Sequence, residues 1–250
     1  MLETIPLDCI LFLDIETVPQ YPAYEQLPDN FRMLWDLKSH ALIRNPELEN
    51  PRNIYRRAGI YAEFGKVICI SVGFIRASQP QEGRAGGAQG REFRVKSFYG
   101  DDEAKLLSEF ADLLNSRYNK PEHLLCAHNG KEFDFPFLSR RMLINGIKLP
   151  RALNAHGKKP WEVQHLDTMD LWKFGDYKSY TSLNLLATSL NIPTPKDDID
   201  GSKVYDVYWE EKNLDRIVTY CQKDVLTVAQ IILRMRGEPI IEPGQVVVSN

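Results

Sequence analysis

No two cysteines in this sequence stand close enough together to form a metal-binding or redox pair. The four thiols, Cys9, Cys69, Cys126 and Cys221, each lie in an apolar run. Their scarcity sets aside a disulfide-stapled or cysteine-ligated zinc scaffold and fits reduced, buried thiols in a cytoplasmic protein. No apolar run is long enough to span a membrane. The opening stretch MLETIPLDCILFLDIE lacks a basic region, and Asp14 and Glu16 interrupt its apolar run, so no secretory leader is expected there. Positive charge is not in excess either: 31 Lys and Arg face 34 Asp and Glu, a net charge of −3. That excludes nucleic-acid binding by bulk electrostatics. Any such role needs a local site, or metal ions that offset local negative charge. The glycine-rich stretch ASQPQEGRAGGAQG has no lysine–serine/threonine ending and opens no helix, so it reads as a turn-rich loop rather than a phosphate cradle.

What is present is an ordinary globular composition, 43% apolar over 250 residues, with no internal repeat and no domain boundary. We read it as a single domain over residues 1–250, with an insertion at about 18–64 and a C-terminal tail from about 237. CILFLDIE (9–16) is apolar up to its acids, as a central strand buried on both faces would be. GKVICISVGFIR and REFRVKSFYG flank the turn-rich loop and form an antiparallel hairpin. An amphipathic helix with acids at its start follows (101–118). Then come a strand HLLCAH, a helix FDFPFLSRRMLIN opened by Pro136, a short strand VQHLD and two more helices. Strands that precede helices and then alternate with them predict an α/β fold, a mixed sheet flanked by helices. The insertion holds two short helices, within LPDNFRMLWDLKSHALI and PRNIYRRAGIYAEF. It is either an elaboration of the fold or a cover over a site. Arg52, Arg56 and Arg57 share a face of the second helix, as a solvated basic face or as phosphate contacts.

Three segments carry acids in unusual places. Asp14 and Glu16 are two apart on a strand, so they leave the same face at its C-terminal end, where ligands gather in open α/β sheets. Such a pair is also the ordinary start of a loop. In CAHNGKEFDFPFL, Asp134 stands at the mouth of a helix, where an aspartate also serves as a cap; capping leaves Asn129 and the surrounding phenylalanines unexplained. In YCQKDV, Tyr220 and Asp224 lie one helical turn apart beside the stripe of Leu214, Ile217, Cys221, Val225, Val228 and Ile232. If the segments converge, four carboxylates share one spot. Like charges about 4 Å apart repel by about 4 kcal/mol at an effective dielectric near 20, so the cluster must take up protons or divalent cations. With hard oxygen ligands, and no histidine or cysteine placed to join them, Mg²⁺ or Mn²⁺ is favoured over zinc. Paired ions imply phosphodiester hydrolysis.

LDIET, HNGKEFDFPFL and YCQKDV, in this order, resemble the three motifs of the DnaQ-like (DEDDy) 3′–5′ exonuclease superfamily. The likeness runs to the proofreading domains of family B DNA polymerases and their stand-alone relatives, and spans residues 9 to about 235. The resemblance implies an RNase H-like fold with a five-stranded mixed sheet, and a 3′–5′ exonuclease that hydrolyses phosphodiester bonds with two metal ions. Asp14, Glu16, Asp134 and Asp224 match its metal ligands, Tyr220 its water-positioning residue, and Thr17, Asn129 and Phe133 the positions that grip the 3′-terminal nucleotides. Thr219 stands where the other branch of the superfamily has a histidine, which indicates the tyrosine branch. The implied partners are a single-stranded nucleic acid 3′ end, DNA favoured, and replication or repair proteins. FYGDD (98–102) resembles a polymerase hairpin, but its Asp101 and Asp102 read as helix-start acids, and Asp167 and Asp170 as acids outside the matched set. An RNA-trimming or other RNase H-like nuclease and a non-catalytic nucleic-acid-binding module use nearly the same residues and stay open.

Overall fold

The computed structural model describes residues 2–77, 90–176, 180–193 and 199–249; the turn-rich loop proper lies outside them. β1 (Ile10–Pro19) is the central strand. It pairs antiparallel with β2 (Gly65–Ala77) and parallel with β4 (Leu124–Ala127). β2 forms the expected hairpin with β3 (Arg91–Tyr99), and β4 is flanked by β5 (Leu166–Asp167). These five strands are the mixed sheet of an RNase H-like fold. A sixth, β6 (Val246–Ser249), extends it: the order is β5-β4-β1-β2-β3-β6. The C-terminal tail thus ends in a strand of the sheet. Its valine run suits an edge strand, and it pairs in parallel with β3.

The continuous apolar character of β1 is explained by cover on both sides. Leu11, Leu13 and Ile15 pack beneath α2 (Glu103–Arg117) and α3 (Asp134–Ile144). Ile10 and Phe12 pack on the other side against Val225, Val228 and Ile232 of α6 (Leu214–Met235). α4 (Thr168–Lys173) and α5 (Leu183–Ser189) complete the α6 layer. Asp102 caps α2 by accepting the Lys105 N–H (3.0 Å), and Asp101 accepts the Tyr208 hydroxyl (2.5 Å), so FYGDD is a helix start. α3 begins at Asp134, two residues before Pro136, which is tolerated in a first turn whose N–H groups lack helical partners. Among the described residues no helix is long and apolar enough to cross a membrane.

Residues 18–64 build a small core of their own. α1 (Asp29–His40) buries Trp35 fully against Tyr55 and Phe64, with its indole N–H donating to the Pro51 carbonyl (2.7 Å). The second predicted helix is a 3₁₀ segment, Tyr55–Ile60. It runs against the end of β1 and the start of β2: a Cβ on Gly59 would lie 3.1 Å from Pro19 Cδ, and one on Gly65 would lie 2.6 Å from the Gly59 carbonyl oxygen. The three arginines are exposed, and each pairs with an acid. Arg52 pairs with Glu25 (2.5 Å), Arg57 with Glu49 (2.5 Å), and Arg56 with Asp206 (2.6 Å) and Glu210 (2.7 Å). Arg56 thus ties the insertion to the segment that leads into α6. Tyr205 and Trp209 reinforce this by donating to the carbonyls of Pro22 and Pro19.

Candidate active site

Alternation along β1 sends Asp14 and Glu16 out of the α6 face, one and two pleats beyond Phe12. At this point the β1–β2 register shifts: Glu16 lies opposite Cys69, but Thr17 lies opposite Val67. Such a bulge re-aims the side chains around it. Glu16 is buried, and Asp14 and Thr17 are half-buried.

Asp134 arrives from the other side. β4 ends at Ala127, so the backbone N–H of Ile15 has no strand partner beside β4, and it donates to the Asp134 carboxylate, as does the N–H of Asp134 itself. Asp134 is 3% exposed and begins α3, while the preceding Phe133 takes the cap position without a side-chain bond. The aspartate therefore does more than cap: it bonds the strand that carries Asp14. Burial, aided by the charge of Asp167 and opposed by the two N–H bonds, moves its pKa up to about 7.

α6 brings the third piece. Its apolar stripe lies on β1, which leaves Tyr220 and Asp224 half-buried at the margin, with the phenol hydrogen-bonded to the carboxylate. Burial and the charges of Asp224, Glu16 and Asp14 hold the Tyr220 hydroxyl well above the usual phenol range, so it stays protonated as a donor. Burial also raises Asp14 well above the usual carboxylate range, followed by the charges of Glu16, Asp224 and Asp134. Glu16 is raised by burial, then by Asp224, Cys69 and Asp134. The charges that act most strongly on this pair are other acids. Asp14 thus senses Glu16, Asp224 and Asp134, and Glu16 senses Asp224 and Asp134, so residues from the three segments border one another.

One expectation fails. Cys221 is placed to join the cluster: its Sγ lies 3.3 Å from Asp14 Oδ2 and 3.4 Å from the Asp14 carbonyl oxygen. The ligand atoms of Asp14, Glu16 and Cys221 lie within 4.8 Å of one another. The reason is the stripe itself, since Cys221 is the stripe residue that lands over the polar end of β1. Burial, Cys69 and the neighbouring carboxylates push the thiol up, so it donates a hydrogen bond to Asp14 instead of offering a thiolate. The donor set then remains carboxylate oxygen, which fits hard divalent cations.

The loop between β4 and α3 is shaped by a residue the sequence left outside the set. Asp167 is 3% exposed and accepts N–H groups from Asn129 (2.9 Å), Lys131 (3.1 Å) and, as the cap of α4, Met169 (3.0 Å). Asp170, in contrast, sits between Lys131 (3.3 Å) and Lys173 (3.4 Å). Asn129 adopts a left-handed backbone (φ 60), which asparagine tolerates better than most residues, and its Oδ1 is buried with no partner. The Asn-Gly dipeptide was the available signal for this turn. His128 holds the neighbouring elements, with Nδ1 on Thr168 Oγ1 and Nε2 on the Thr181 carbonyl, both at 2.8 Å. Burial lowers its pKa, so it acts as a neutral strut. Phe133 lies half-buried on Phe137, with ring centroids 5.4 Å apart.

Comparison with known proteins gives a family. Residues 62–238 match a family described as "Predicted 3'-5' exonuclease related to the exonuclease domain of PolB". Asp134, Tyr220 and Asp224 fall inside the match, and Asp14 and Glu16 precede it. A DNA polymerase of Pyrococcus glycovorans is 21% identical over 161 residues, which is 55% of this chain and 20% of that protein. The structure of the family B DNA polymerase from the hyperthermophilic archaeon Pyrobaculum calidifontis aligns with 90% of this chain and 24% of that one, at 18% identity and a TM-score of 0.48. The chain thus spans about a fifth to a quarter of the length of these relatives.

Proposed function

The chain belongs to the family of predicted 3′–5′ exonucleases related to the exonuclease domain of PolB, and on that premise we propose that it hydrolyses phosphodiester bonds from single-stranded 3′ ends, DNA favoured, with Mg²⁺ or Mn²⁺. The observation that carries the proposal is the meeting of acids from three segments at the C-terminal end of β1: Asp14 is raised by burial and then by Glu16, Asp224 and Asp134, and Glu16 by burial and then by Asp224, Cys69 and Asp134. In this reading Asp14, Glu16, Asp134 and Asp224 hold the ions. Two divalent cations, when bound, would neutralise the cluster, lower the pKa of an attacking water and stabilise charge on the leaving oxygen.

The remaining work belongs to the chain. Tyr220, kept protonated and fixed by Asp224, holds a hydrogen-bonding hydroxyl at a set position beside the acids, where it orients the water. The unpartnered Oδ1 of Asn129 offers an acceptor to a donor on the terminal sugar, such as the 3′-hydroxyl. Phe133 offers a ring face to the terminal base, and Thr17 a hydroxyl at the bulge beside Glu16. Association with replication or repair proteins is part of the same proposal, by analogy with the polymerases whose exonuclease domains define the family.

The test is a 5′-labelled single-stranded oligonucleotide incubated with protein and Mg²⁺ or Mn²⁺, as DNA and RNA in parallel. A stepwise ladder is expected on DNA, and its disappearance with Asp14→Ala and with Asp224→Ala. A ladder unchanged in both variants would refute the metal assignment, and a ladder on RNA alone would reassign the substrate.

A further inference from the structure

The face of α3 turned away from the acidic cluster carries a second feature. Pro136, Ser139, Arg140 and Leu143, spaced along one side of the helix, line a groove of about 380 Å³ against residues 149–165. A smaller groove of about 270 Å³ adjoins it and shares Ala152, Lys158, Val163 and His165. Among the described residues no aspartate or glutamate lines either one. Lys131, Arg140, Lys158 and Arg151 do, in a chain that otherwise carries more acid than base. His165 adds no charge, because burial lowers its pKa and both ring nitrogens are used, by the Leu125 N–H and the Ala152 carbonyl.

Lys131 joins the groove to the cluster. It stands three residues before Asp134, its backbone held by Asp167, and its ammonium makes a part-exposed pair with Asp170 that a phosphate can replace. Arg140 and Lys158 are exposed and form no ion pair among the described residues. Between the cations the floor is apolar: Pro136, Leu143, Leu149 and Val163, with Leu143 half exposed. A cationic rim over an apolar floor takes backbone phosphates on the rim and unstacked bases on the floor.

We propose that this groove holds the single strand upstream of the 3′ end that is cut, entering past Lys131 and following α3 towards Arg140, Lys158 and Arg151. The proposal rests on the exonuclease reading for its ligand. An acidic peptide of a partner protein meets the same charges, but the continuity with Lys131 beside the cluster favours nucleic acid.

The test is fluorescence anisotropy of labelled single-stranded DNA, in EDTA to prevent hydrolysis, with the wild type and the double variant Arg140→Glu/Lys158→Glu. Both positions are exposed, and circular dichroism checks the fold. For an oligonucleotide of about 16 nucleotides, the upper end of single-strand site sizes, binding should weaken at least about tenfold in the variant. The slope of log affinity against log salt should fall by about 1.4, about 0.7 for each lost phosphate contact. A trinucleotide, too short to leave the cluster, should bind both proteins equally. Unchanged long-strand affinity, or equal weakening for both lengths, overturns the groove. So does an acidic peptide that displaces nothing yet binds the wild type and not the variant. Hydrolysis with Mn²⁺ is read separately: a wild type inert on every oligonucleotide refutes the exonuclease reading, whereas an active wild type with unaltered long-strand binding in the variant refutes only the groove.

Discussion

The Cys221 thiol lies 3.3 Å from Asp14 Oδ2, although 207 residues separate them in the chain. It is a donor to the carboxylate that burial and three neighbouring acids otherwise drive towards protonation. Removing it should raise the Asp14 pKa further and weaken divalent-ion binding most at mildly acidic pH, where protons compete with metal. Cys221→Ala should therefore lose several-fold in Mn²⁺ affinity near pH 6 and less near pH 8, and Cys221→Ser, which keeps a donor, should lose little. Calorimetric titration at the two pH values checks this. Equal affinities throughout would show that the contact is packing alone.

Asp14→Asn removes a ligand and a charge at once. Hydrolysis of a labelled oligonucleotide should fall by about 10²-fold or more. The metal-free variant should melt higher than the metal-free wild type, because the repulsion within the cluster is relieved. Thermal melts in EDTA separate this gain from the loss of activity.

Tyr220→Phe deletes one hydroxyl and leaves the ring packed. A hydrogen bond to a charged partner contributes about 1.5–3 kcal/mol, so kcat should drop by about 10–150-fold while calorimetric Mn²⁺ affinity stays within about twofold. An unaltered kcat would remove the tyrosine from the mechanism.

Asp134 has a folded-state pKa of about 7, above its unfolded value of about 3.9. The folded state thus binds the extra proton, so this group favours folding at low pH and the contribution is lost as pH rises through about 7. The metal-free wild type should lose stability across about pH 4 to 7, with a slope of up to about 1.4 kcal/mol per pH unit from this group. Asp134→Asn should flatten that part of the profile, and divalent ions should reverse it in the wild type alone. Urea unfolding across the pH range, with and without Mn²⁺, measures both.

Phe133→Ala should act on substrate affinity rather than on turnover. Loss of one stacked base costs about 1–3 kcal/mol, which corresponds to about 5–150-fold in KM with kcat nearly unchanged. A fall in kcat at constant KM would mean that the ring supports Asp134 instead of the nucleotide.

By itself the sequence determined the pieces. The apolar run into Asp14 and Glu16 is a central strand with both acids on one face, and the stripe around Cys221 is a long helix with Tyr220 and Asp224 at its margin. Those are consequences of the periods of two and 3.6 residues, which local order alone sets. Only the tertiary structure decided what meets across the fold. Cys221 reaches Asp14 because α6 lies along β1. Asp167 becomes the anchor of the Asn129 turn because β5 ends beside β4. Arg56 is spent on Asp206 and Glu210, not on phosphates, because the insertion packs against the approach to α6. Val246–Ser249 becomes a strand because the edge of β3 has unpaired backbone groups to receive it. A side chain's partner in space depends on how separate elements dock, and no local periodicity records that.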